Sequence, residues 1–198
     1  MNRFFAKNKG LLLVLFLGVS AYAHVTPMVV VTSRAEFIRY SLRRATHFFI
    51  REIDSHSEIF ESRHLHTWHP RKSDIHLYVG RDTGQHLVGA VVFLRIPSRH
   101  GPVEIGVAYD TEGTILNAAV TQVGSEPLTF LTPMLSHGFI KQFDGDTYAA
   151  KFSTRKLAPK DKTPLTQYYA RVIVAGMKWT GRIFRAEILD QSRSEIHP

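Results

Sequence analysis

The stretch "LVGAVVFLRI", Leu87 to Ile96, limits the fold more than any other part of the chain. It is long, apolar and rich in β-branched residues, with "RDTGQ" before it and "PSRHGP" after it as turns. That pattern predicts a central strand. "IHLYVG" predicts a short strand ahead of it. In "VEIGVAYD" Val103, Ile105, Val107 and Tyr109 alternate with Glu104, Gly106 and Ala108, and "TEG" closes a hairpin into "TILNAAVTQV". Successive strands joined by Gly-containing turns predict an antiparallel meander.

Upstream, Ser33 and Glu36 have the spacing of a capping box. Ala35, Ile38, Leu42, Ala45, Phe49 and Ile53 then recur every three or four residues, which predicts one amphipathic helix over that range. Arg39, Arg43, Arg44 and Arg51 fall largely off the stripe. They predict a basic face in water on a helix that covers a sheet, with a membrane-surface helix as the alternative. "SEPLTFLTP" reads as irregular, "MLSHGFIKQF" as a short helix and "STRKLAPKDKTP" as a charged loop. The last element, about 167–189, stays open: "ARVIVA" suits a strand, whereas "TGRIFRAEIL" has helical spacing. No internal repeat or domain boundary interrupts the 198 residues, so one α+β domain is expected.

Arg3, Lys7 and Lys9 precede the apolar run "LLLVLFLGV", and "AYA" (Ala21 to Ala23) supplies small residues at a cleavage point. This predicts a signal peptide over residues 1–23 and an exported mature chain from residue 24. The apolar run is shorter than the ~20 residues of a membrane span; a retained N-terminal anchor is the alternative. Removing 1–23 lowers the formal net charge from +8 to +5. So modest and dispersed an excess, with no basic block interleaved with aromatics, argues against nucleic acid.

The chain has no cysteine, which excludes disulfides, thiolate chemistry and iron–sulfur ligation. Redox work would need a bound organic cofactor or a non-thiolate metal. His64, His66 and His69 in "HLHTWH" have spacing that metal ligands could use, but Arg63, Arg71 and Lys72 flank them, so a solvated polar loop is expected and metal binding is the alternative. There is no nucleophile elbow, Walker loop or dinucleotide fingerprint, and no catalytic acid or base stands out.

The run "LVGAVVFLRIPSRHGPVEIGVAYDTEGTILNAAVTQVGSEP", followed by "GFIKQFDG", resembles the periplasmic FMN-binding domain of membrane-associated flavoproteins. These are subunits of ion-pumping oxidoreductases and smaller exported relatives. The resemblance covers half to two-thirds of the mature chain and implies an FMN-binding-type domain over 24–198. It also implies flavin-linked electron transport and a membrane-associated redox partner. The acid of a Glu-Thr pair is matched by Glu126, with Pro127 in place of the Thr. The family's flavin-attachment signature, close to S-G-A-T-x-T, is laid on "AGMKWTG": Gly176 and Thr180 match, and Lys178 stands where the flavin-bearing Thr would be. Lysine cannot form the phosphoester, so the resemblance implies FMN held without a covalent bond. Lys178 would contact the phosphate, Trp179 would border the flavin ring, and Glu126 with the 129–132 stretch would add polar contacts. The alternative is an exported binding or assembly module that has lost the flavin site, with Met177 and Trp179 filling it.

Overall fold

The computed structural model describes residues 27–51, 53, 70–158 and 162–191. The expected signal peptide and His64, His66 and His69 lie outside the described residues. Six strands, β1 (Met28–Val30), β2 (His47–Arg51), β3 (Ile75–Arg81), β4 (Leu87–Ile96), β5 (Val103–Tyr109) and β6 (Ile115–Gly124), form one curled antiparallel sheet. Its order is β1-β6-β5-β4-β3-β2, so the expected meander is its middle. The long apolar run sits inside the sheet because both of its faces are covered. From Ala90 to Leu94 every side chain is fully buried. With helices packed on both faces, the architecture is α+β.

On one face Phe37, Ile38 and Leu42 pack against Val91, Phe93 and Ala108. They come from α1 (Arg34–Ser41) and its C-cap. The capping box forms as expected: the Ser33 hydroxyl accepts from the Glu36 N–H, and the Ser33 N–H donates to the Glu36 carboxylate, both at 3.2 Å.

The helix does not continue to Ile53. It stops at Ser41, and the chain re-enters the sheet as β2, beginning where the Thr46 N–H donates to the Arg81 carbonyl. "THFFIR" is β-branched and aromatic, which favours extended backbone. The ladder to β3 rather than burial holds this strand, since Phe49 and Ile50 are 47% and 68% exposed.

The opposite face carries the larger core, covered by α2 (Ser125–Ser136) and α3 (Pro164–Phe184). Helix α2 lies over the segment expected to be irregular. Pro127 is tolerated in the first turn, where its missing N–H has no intrahelical partner anyway. Gly138, at φ 73°, then ends the element: the Gly138 N–H donates to the Leu135 carbonyl and the Phe139 N–H to the Met134 carbonyl. That pair of bonds is a Schellman stop, so "MLSHGFIKQF" is the end of one helix and a separate 3₁₀ turn at Lys141–Phe143.

Helix α3 settles the ambiguous last element. Thr163 caps it, Pro164 occupies its first position, and Tyr169, Ile173, Gly176, Met177, Thr180 and Phe184 form its buried face. One π-helical turn, Arg185–Leu189, extends it. Among the described residues no helix is long and apolar enough to cross a membrane.

Candidate functional site

The segment Arg171 to Gly181 is helical throughout, inside α3, so its side chains are sorted by a 3.6-residue period. Gly176, Met177 and Thr180 turn to the sheet. Gly176 lets the helix lie close on the sheet: a Cβ there would stand 2.4 Å from Ile96 Cδ1 and 2.6 Å from Ile105 Cδ1. Thr180 is fully buried, and its hydroxyl is 2.9 Å from the Tyr109 hydroxyl and 3.0 Å from the Met177 carbonyl. Trp179 is 2% exposed, with the Arg182 guanidinium 5.6 Å from its ring centroid.

Lys178 is on the outer face. Arg182 and Arg185 follow at i+4 and i+7, which makes a basic stripe along the helix. Beside it runs the segment 148–152. The Tyr148 carbonyl comes within 2.3 Å of where a Gly181 Cβ would stand, and the Tyr148 N–H donates to the Gly113 carbonyl at 2.8 Å. With no side chain at Gly181 the segment lies directly on the helix, and a groove of about 340 Å³ is left between them. Lys151, Lys178, Arg182 and Arg185 line it, with Tyr148 and Phe152. Arg185 is paired with Asp190 at 3.4 Å. Lys151 and Lys178 have no ion-pair partner among the described residues. Four cations line one groove, two of them without an ion-pair partner among the described residues, and such a cluster favours negative charge beside it.

Glu126 is elsewhere. It lies in the first turn of α2, its side chain 56% exposed, and it accepts from His100 Nδ1 at 2.8 Å. Phe130 of the same helix stacks on Tyr169, which is nine residues before Lys178 on α3, or about 13 Å along the axis. Thr129 and Thr132 are exposed on α2, and Thr132 bonds the Leu128 carbonyl. Of Glu126, Gly176, Lys178, Trp179 and Thr180, Lys178 alone lines the groove. Gly176, Trp179 and Thr180 are core residues, and Glu126 is bound to His100.

Lys151, Tyr148 and Arg185 were not expected from the sequence. The signal available was the basic spacing 178, 182 and 185, which is legible once the segment is known to be helical. Glu104 also departs from its expected place. Expected to point away from the apolar face of its strand, it is fully buried. Arg34 clamps it through Nε to Oε1 at 3.0 Å and Nη2 to Oε2 at 2.5 Å, and the Thr121 hydroxyl donates at 2.9 Å. Burial opposes its charged form, but the Arg34 and Thr121 bonds outweigh burial and hold the carboxyl below its usual range. Among the described residues no cluster of His, Asp or Glu could hold a metal ion.

No family model, curated protein or solved structure matches the chain.

Proposed function

We propose that the protein is an exported FMN-binding-like module that holds FMN without a covalent bond and serves electron transfer to a partner at the membrane. The observation that carries this reading is the groove beside Lys178, where Lys151 and Lys178 have no ion-pair partner among the described residues. A flavin phosphate fits these residues: Lys151, Lys178 and Arg182 would hold it, and Tyr148 would offer a ring face on the groove wall. Trp179 has no part in it, because its ring is buried. When bound, FMN supplies the electron-transfer chemistry, and the chain supplies position and charge.

Purified full chain titrated with FMN and with riboflavin tests the phosphate contact directly. FMN should bind more tightly by about tenfold or more, the range of a charge-assisted contact. Lys178→Ala should reduce that preference, Lys151 and Arg182 remaining, and raising the salt should weaken FMN but not riboflavin. Equal affinity for the two flavins would overturn the phosphate assignment.

A second reading rests on Met177 and Trp179, whose side chains are 0% and 2% exposed. They occupy core space near the expected attachment position, as in a binding or assembly module without flavin. A colourless protein that takes up neither flavin is its signature.

A further inference from the structure

At the end of the sheet where β4 begins and β5 turns into β6, a cavity of about 510 Å³ opens beside the chain leaving α1. It shares no lining residue with the Lys178 groove.

Two irregularities of the sheet meet there. Between β5 and β6 the register slips, so that Tyr109 pairs with Ile115 and Ala108 with Asn117, leaving Leu116 as the odd residue. Between β3 and β4 Gly80 pairs with Gly89 and Arg81 with Leu87, leaving Val88 as the odd residue. Both line the cavity, with Leu42. A bulge takes its extra residue out of the in–out alternation and re-aims its side chain. Here two bulges on separate ladders supply apolar side chains to one cavity, and Leu116 remains 43% exposed.

The rim has the opposite chemistry. The Arg43 guanidinium lies 4.5 Å from the centroid of the Tyr40 ring, and its Nε donates to the Tyr40 carbonyl at 3.2 Å, which fixes the head and leaves its terminal nitrogens without a hydrogen bond among the described residues. Arg44, exposed on the same rim, makes no hydrogen bond or ion pair among the described residues. The lining holds one acid, Asp110, whose Oδ1 accepts from the Glu112 N–H at 3.0 Å and the Thr114 N–H at 2.7 Å; its single charge is outnumbered by the two arginines. Asn117 is likewise taken, donating to the Ser41 hydroxyl at 2.8 Å and accepting from Lys141.

We infer that this cavity binds an organic anion with an apolar body, of the acyl carboxylate class. Its carboxylate meets the guanidinium groups of Arg43 and Arg44, whose planar forks match it, and its chain lies along Leu42, Val88 and Leu116.

The test is calorimetric titration of the full chain with dodecanoate below its micelle concentration. Acetate, which is the head alone, and dodecyltrimethylammonium, which is the same chain with the opposite charge, serve as controls. Dodecanoate should bind with one-to-one stoichiometry, and neither control should compete. Arg44→Glu and Leu116→Gln should each weaken it by about tenfold, one through the head and the other through the chain. Lys178→Ala should leave it unchanged, so this result and the flavin result are separate. Absence of binding, equal binding of the ammonium compound, or affinity unchanged in both cavity variants overturns the inference. The ammonium comparison uses the native chain and stands even where a variant fails to fold.

Discussion

The hydroxyls of Tyr109 and Thr180 lie 2.9 Å apart in the fully buried layer between β5 and α3. Burial holds the Tyr109 phenol well above its usual pKa, so it stays protonated and can donate to Thr180, whose own proton goes to the Met177 carbonyl at 3.0 Å. The two substitutions are therefore unequal. Thr180→Val keeps the shape but strands a buried phenol, at a cost of about 1–3 kcal/mol. Tyr109→Phe keeps the stack on Phe184 and leaves Thr180 bonded to the helix, at a cost of about 1 kcal/mol. The double variant should cost less than the two singles together in urea unfolding. Strict additivity would show that the hydroxyls do not share a bond.

Arg34 and Glu104 tie α1 to the sheet, and they make stability depend on pH in a definite direction. The folded-state pKa of Glu104 is lowered, so the unfolded chain binds more protons around the ordinary carboxylate range. Its contribution is complete above about pH 4.3, the ordinary Glu value, and is lost as pH falls through the lowered folded value. Arg34→Ala leaves a buried carboxylate with the Thr121 hydroxyl at 2.9 Å and, as its nearest cation among the described residues, Arg95 Nη2 at 3.8 Å, and should cost about 3 kcal/mol at pH 7. In that variant protonation relieves the site, so the gap to the native chain should narrow in acid. Denaturant unfolding at pH 7 and at about pH 4 reads both effects. A gap that widens in acid would contradict the assignment.

The meander was legible because its signal is local: an apolar β-branched run between Gly-containing turns has few other solutions. The junction after α1 was not, because Phe49 and Ile53 happen to continue a helical period that β2 does not use. Local spacing cannot weigh that period against a ladder to residues 77–81, which are distant in sequence. The same limit hid the end of α2, where Gly138 separates apolar residues that the period had joined. At the site, Lys178 was visible as a cation in an odd place. Its groove depends on Tyr148 and Lys151, some thirty residues away, which the absent Gly181 side chain admits. Glu104 was misplaced because alternation gives the face of a strand, not whether an arginine from another element covers it.

Gly176 and Gly181 are both buried in α3, but what stands against them differs, and this predicts the order in which alanine is tolerated. At Gly176 a Cβ meets the Cδ1 atoms of Ile96 and Ile105, which are the ends of side chains able to turn. Overpacking of about 1–3 kcal/mol is there partly offset by about 1 kcal/mol of helix propensity gained over glycine. At Gly181 the Cβ meets the Tyr148 carbonyl oxygen at 2.3 Å, which is main chain and cannot turn aside. The segment 148–152 must move instead, although the Tyr148 N–H is tethered to the Gly113 carbonyl. Gly181→Ala should therefore lower the melting temperature more than Gly176→Ala. It alone should also weaken anion binding beside Lys178, because the displaced segment is the wall of that groove. Melting curves with and without FMN measure both, and the reverse order of stabilities would show that Tyr148 does not hold its place against the helix.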